Sequence, residues 1–288
     1  MQTTTREHQF GRALRAWRTR RRVSQLELAL RARTTQRHIS FIESGRSLPG
    51  RAMVIRLAEA LEIPLRERNV LLAFAGYAPV YTETSLDDPS LGAVREAVDR
   101  VLDGHNPYPA VVTNRYGELM SSNRAFTTLT QGVTPDLLAA PVNVPRLLLH
   151  AHGLAPRIAN LDEWGWHIVN AVQQQALRNP DPKLEALAAE LAEMVPATKA
   201  PTPEYAGFAV PLRLRWGEDE LRLLSTLTHF GTAVDVTVAE LRLEAFLPAD
   251  APTSALLNKL DGNTVRAHTR TPRLADDASG GAPRRSVS

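Results

Sequence analysis

Five residues of one short segment, Thr35, Gln36, Arg37, Ser40 and Phe41, are spaced to share the outward face of a helix. Their chemistry suits duplex DNA. A Gln amide bonds both polar atoms on an adenine edge, an Arg guanidinium forks onto guanine, and the major groove admits one helix. Thr35, Gln36 and Arg37 are placed to read bases. Gln25 and Arg46 are placed to clamp phosphates, and Ser44 and Arg51 complete the expected contact set. The run Arg18 to Arg22 adds charge that follows phosphates without choosing sequence.

Such a reader must be held away from the protein surface. Ser24 can cap a short helix whose Leu28 and Ala29 face inward, Arg33-Thr34 breaks the pattern, and Thr35 can cap a second helix that buries Ile39 and Ile42. Two helices joined by so short a turn cross steeply and leave the second one proud. Phe10, Ala13, Leu14 and Trp17 recur at helical spacing, predicting a first helix that ends near Arg21, with residues 1–7 left disordered. Further helices are expected over 52–61 and 65–75, after the turn-rich segment Gly45 to Gly50.

The pattern Ser24-Gln25, Leu28-Ala29, Thr35-Gln36, Ile39-Ser40, Ile42-Glu43 and Gly45, with Pro49, Leu57-Ala58, Ala60-Leu61 and Ala75-Gly76-Tyr77 after it, resembles a known family. It is similar to the phage-repressor type of helix-turn-helix in the xenobiotic-response-element (XRE) regulators, over roughly residues 8–78. The resemblance implies an all-α, five-helix, lambda-repressor-like DNA-binding domain and an ion pair between Arg18 and Glu43. The glycine usual at the family's turn is Arg33 here, a residue less suited to positive φ.

Charge separates the chain into two parts. Residues 1–80 hold 15 Arg, no Lys and 6 Glu, a net of +9; the whole chain is +3, which leaves −6 for the rest. A basic head on an acidic body is the footprint of a nucleic-acid reader attached to a domain with another task. With 288 residues and a 43% hydrophobic fraction, the chain can build two cores. It has no cysteine, which excludes disulfides and thiolate metal sites. The polar start lacks a signal-peptide core, and the longest nearly apolar run, Val70 to Tyr81, is too short for a membrane span. A cytoplasmic protein with no membrane partner is expected.

Beyond a linker and connecting helix over 79–104 (apolar at Leu91, Val94, Val98, Val101 and Leu102) the texture changes. Residues 110–113 and 118–122 flank Asn114-Arg115-Tyr116-Gly117 as a hairpin, and Asn123 opens a helix. Helices are expected over 144–149, 161–177 and 184–194, then strands over 208–216, 220–230 and 240–247. Two strands, a helical middle and three strands predict an α+β, PAS-like domain with an antiparallel sheet over 105–260. The tail 261–288 is rich in Gly, Ser, Pro and Arg and is expected to be disordered. The connecting helix is the expected transmitter between the two parts.

The segments Pro109-Ala110-Val111-Val112, Ser122 to Phe126, Asn143 to His150, Asn160 to Trp164 and Leu224 to Thr232 resemble the MmyB-like ligand-binding domain attached to XRE regulators. Members usually carry a His-Pro pair where Thr228-His229-Phe230-Gly231 stands here. The resemblance implies a PAS-like pocket for a small apolar effector, fatty acids being the family precedent, with no other cofactor. Asn123, Arg146, Leu147, His150, Trp164, Ile168, Leu227 and Phe230 are the candidate lining. Arg146 reads first as a surface salt bridge and second as an anchor for an effector carboxylate, and Trp164 and Trp166 read first as core and second as a cavity wall.

Other chemistries find less support. His150-Ala151-His152 with Glu163 and His167 has metal-ligand character, but Gly153 to Ile158 lacks the carboxylate a cupin supplies. No Gly-x-Ser-x-Gly elbow or phosphate loop occurs. The sequence therefore points to a non-enzymatic regulator that binds operator DNA as a homodimer. A DNA-tethered metal enzyme and an antitoxin-like adaptor for a protein partner are the alternatives.

Overall fold

Hydroxyl caps begin both helices of the reader. The structure, a computed structural model, describes residues 2–196 and 209–269. The first part holds α1 (Gln2–Arg20), α2 (Gln25–Arg31), α3 (Gln36–Glu43), α4 (Arg51–Ala60) and α5 (Leu65–Phe74). Ser24 Oγ accepts from the Glu27 amide at 3.0 Å and Thr35 Oγ1 from the His38 amide at 3.1 Å, each satisfying one orphan donor of a first turn. Between them Arg33 takes the left-handed conformation, φ 52°. The Thr34 amide then reaches back to the Ala29 carbonyl and the Arg33 amide to that of Leu30, closing α2 as a glycine would. Helix α1 starts at Gln2, so the expected disorder of 1–7 does not hold from Gln2 onward: the helical run continues outward past the buried Phe10.

Phe10, Leu14 and Trp17 pack on Leu28, Ile39, Ile42 and Leu57 in one core. Gly11 makes the approach of α1 to α3 possible: a Cβ there would lie 2.4 Å from the Ile42 carbonyl oxygen.

The second part contains α6 (Gly92–His105), β1 (Ala110–Thr113), β2 (Leu119–Ser122), α7 (Arg124–Leu129), α8 (Val144–Leu149), α9 (Leu161–Arg178) and α10 (Pro182–Met194). It continues with β3 (Leu212–Trp216), β4 (Asp219–His229), α11 (Val236–Glu240), β5 (Arg242–Pro248) and α12 (Ala251–Thr269). The five strands form one antiparallel sheet in the order β2-β1-β5-β4-β3, the PAS-like architecture expected. Both faces of the sheet are covered. Val111, Leu221, Leu223 and Phe246 join Leu147 and Trp164 of the helical layer. Ala110, Val112, Leu243 and Ala245 meet Val98 and Leu102 of α6 on the other side. Val101, expected inside, is 45% exposed.

Three boundaries differ from expectation. Residues 236–240 form α11, capped by the Asp235 carboxylate on the Thr237 and Val238 amides, so the last strand starts at Arg242. The first of the three closing strands covers 212–216, and Phe208 lies outside the described residues. Residues 251–269 are helical, so the tail does not lose order at 261, while 270–288 lie outside the described residues.

Candidate nucleic-acid interface and ligand cavity

The reader helix is set by a buried ion pair. Arg18 Nε and Nη2 donate to Glu43 Oε1 and Oε2 at 2.6 and 2.8 Å, and Nη1 donates to the Val23 carbonyl at 2.9 Å. Glu43 is 4% exposed and Arg18 14%, so α1 and α3 are locked at one angle. The bond to Glu43 holds the Arg18 guanidinium above its usual pKa. Gln25 Nε2 donates to Glu43 Oε2 at 2.8 Å, which leaves only its second amide hydrogen for a phosphate.

Thr35, Gln36, Arg37, Ser40 and Ser44 stand exposed on the outer face, with Arg46 and Arg51 beyond. The Thr35 hydroxyl is engaged as a cap, and Ser44 Oγ donates to the Phe41 carbonyl at 3.1 Å. The guanidinium carbons of Arg37 and Arg46 lie 5.1 and 5.8 Å from the Phe41 ring centre. Cation–π contact thus steadies two cations over the half-buried ring.

The second part has a cavity of about 670 Å³ between the sheet and α8, α9 and α10. Trp164, Ile168 and Val172, at i, i+4 and i+8, line it with Leu148 and Leu187. Its sheet wall is polar. Register sets Thr113, Arg242 and His229 side by side across β1, β5 and β4, with Glu244 and Leu227 in the next rank. Burial raises the Glu244 pKa against a hydroxyl bond from Ser225. Burial, then the nearby Arg115, lowers that of Arg242; burial, then Arg242, lowers that of His229.

One end of the cavity is wired to the reader. Arg115, which lines it, is 7% exposed and lies 3.1 Å from each of Glu67 on α5, Glu240 on α11 and Asp181. Burial alone would lower the Arg115 pKa, but Glu67 and Glu240 outweigh it and raise it. Arg66 of α5 donates to both Glu240 oxygens at 2.8 and 2.9 Å. Back toward the cavity, Gln175 Nε2 donates to the Arg115 carbonyl at 2.7 Å, and Gln175 Oε1 accepts from Arg242 Nη1. These partners are up to 174 residues apart, and each one in isolation reads as a solvated charge.

Residues 94–260 match the family model of the MmyB-like transcription regulator ligand binding domain, more than half of the chain. The chain belongs to the MmyB-like transcription regulators. Residues 14–68 match a helix-turn-helix model, so this MmyB-like regulator joins a DNA-binding head to a ligand-binding domain. Both families are those of regulators rather than enzymes. No curated protein matches the chain. Three solved chains match. One, titled as the structure of an RNA-binding light-oxygen-voltage receptor, is 13% identical, and the match covers 90% of this chain and 64% of that one. Its TM-score of 0.23 is too low to carry an argument. Among the described residues, no helix is long and apolar enough to cross a membrane.

Of the expected lining of the MmyB-like domain, Trp164, Ile168 and Leu227 reach the cavity. Five residues do not. Asn123 is 3% exposed and fully used: Oδ1 accepts from the Ala110 and Phe126 amides, and Nδ2 donates to the Leu102 and Tyr108 carbonyls. Arg146 forms a bidentate surface salt bridge with Glu190 at 2.6 and 2.7 Å. Leu147 is core, and Phe230 packs in the α6 cluster on the opposite face of the sheet. His150 Nδ1 accepts from the His152 amide at 3.0 Å. Among the described residues no three His, Cys, Asp or Glu groups stand close enough to hold a metal, and His167 lines the cavity instead. The expected transmitter α6 lies on β1 and β2, whereas the charged link to the reader runs through α5 and α11.

Proposed function

We propose that this MmyB-like regulator binds operator DNA as a homodimer and that an effector in the 670 Å³ cavity changes its operator affinity through Arg115. Each α3 enters a major-groove half-site, with Gln36 and Arg37 on base edges. Two-fold symmetry then calls for a roughly palindromic operator, its half-sites about one helical turn (~10 bp) apart or a multiple of it. The effector is a small organic molecule whose body is apolar, of the fatty-acid type, seated between Leu227 and α9.

The observation that carries this reading is the double position of Arg115, in the cavity wall and in an ion pair with Glu67 of the reader. A ligand shifts DNA affinity only through its different affinity for two arrangements of the protein, typically about 1–3 kcal/mol. Occupancy that draws on Arg115 or Gln175 supplies such a difference.

The test is operator affinity of the full chain with and without a bound medium-chain acid, for wild type and Arg115→Met. Wild type should respond by about 5–150-fold, the range that coupling energy allows. Arg115→Met should bind operator but respond less. An acid that demonstrably binds yet leaves operator affinity unchanged in wild type overturns the proposal.

A further inference from the structure

Arg242 and Glu244 lie two residues apart on β5, about 7 Å along the strand, and line the same cavity. Neither forms an ion pair with the other or with any other side chain among the described residues. Arg242 Nη1 is bonded to the Gln175 amide oxygen, which leaves further guanidinium hydrogens for the cavity. Glu244 has the Ser225 hydroxyl as partner, fewer bonds than a carboxylate accepts. Glu240 attracts Arg242 from beyond ion-pair reach; two half-dry groups of opposite sign, neither in contact with a counter-charge, favour an occupant that meets both. Leu227, opposite Glu244 in the sheet register, is 56% exposed and lines the cavity, as does Ile168 of α9.

We propose that the ligand is an organic anion carrying a hydrogen-bond donor, hydroxyl or ammonium, a few bonds from its charged group: Arg242 holds the anion, Glu244 the donor, and Leu227 with Ile168 the apolar remainder. This rests on the reading of the cavity as the effector site. A plain fatty acid satisfies Arg242 alone and sets its carboxylate near that of Glu244.

Calorimetry on the full chain with dodecanoic, β-hydroxydodecanoic and α-aminododecanoic acids, each below its micelle concentration, tests this. The hydroxy and amino acids should bind at least about tenfold more tightly than dodecanoic acid, the size of one hydrogen bond to a charged group. Glu244→Leu should erase the preference, Glu244→Gln should reduce it, and Arg242→Met should weaken all three. Circular dichroism identifies any variant that fails to fold, and Glu244→Gln keeps the shape. Equal or tighter binding of dodecanoic acid to wild type overturns the proposal, as does a preference that survives Glu244→Leu, or no binding of any of the three. If dodecanoic acid binds equally and still shifts operator affinity, the regulatory reading stands and this one falls.

Discussion

Replacing Arg18 with Met should destabilise the reader by about 3 kcal/mol. The substitution keeps most of the apolar stem but removes two charged bonds to Glu43 and one to the Val23 carbonyl. Glu43, 4% exposed, is left with the Gln25 amide as its partner. Breaking a buried pair on one side costs about 3–5 kcal/mol, and the 14% exposure of Arg18 places this case at the lower end. At about 4–8 °C per kcal/mol for a domain of this size, the reader's melting point should fall by roughly 12–24 °C. Urea unfolding followed at Trp17, the one tryptophan of residues 1–80, gives the free energy directly. Arg18→Met with Glu43→Met removes both charges, so the double variant should lose far less than the sum of the singles. A loss below about 0.5 kcal/mol in Arg18→Met, the size of an ordinary surface change, would refute the reasoning. So would strict additivity in the double variant.

Two further outcomes follow from the backbone and from the cavity. Arg33→Gly should stabilise the reader by about 1 kcal/mol, because φ 52° suits glycine, and a higher urea midpoint would register it. Glu244, whose pKa burial raises, weakens the fold when ionised. That cost is absent below its unfolded pKa, grows as pH rises through the window above it, and is complete above the folded pKa. The stability of Glu244→Gln relative to wild type should therefore increase with pH across that window in urea titrations; a pH-independent difference would contradict it.

The reader was legible because its signals are local. Ser24 and Thr35 cap within three residues, and Leu28, Ile39 and Ile42 follow helical period within single helices. The hairpin at 114–117 and the spacing of Trp164 and Ile168 were readable for the same reason. The polar wall of the cavity was not. In Arg242-Leu243-Glu244-Ala245, alternation marks Leu243 and Ala245 as buried and so gives Arg242 and Glu244 to solvent. The sheet is covered on both faces, and α8, α9 and α10 stand over the charged one. Leu227 and Phe230 are three apart on the expected strand 220–230, so alternation puts them on opposite faces: Leu227 meets the cavity and Phe230 the α6 side. From sequence Asn123 reads as a ligand contact, yet its side chain is consumed by four backbone bonds from segments before and after it. The Arg115 junction joins four separate segments, and no pattern within any one of them marks it.

The most direct test is selection of duplexes from a random pool by the full chain at moderate ionic strength, for wild type and Arg37→Ala. Wild type should enrich one roughly two-fold symmetric motif. Arg37→Ala should lose about 1–3 kcal/mol on that motif and relax preference at one position of each half-site. Enrichment of no motif by wild type would contradict the account.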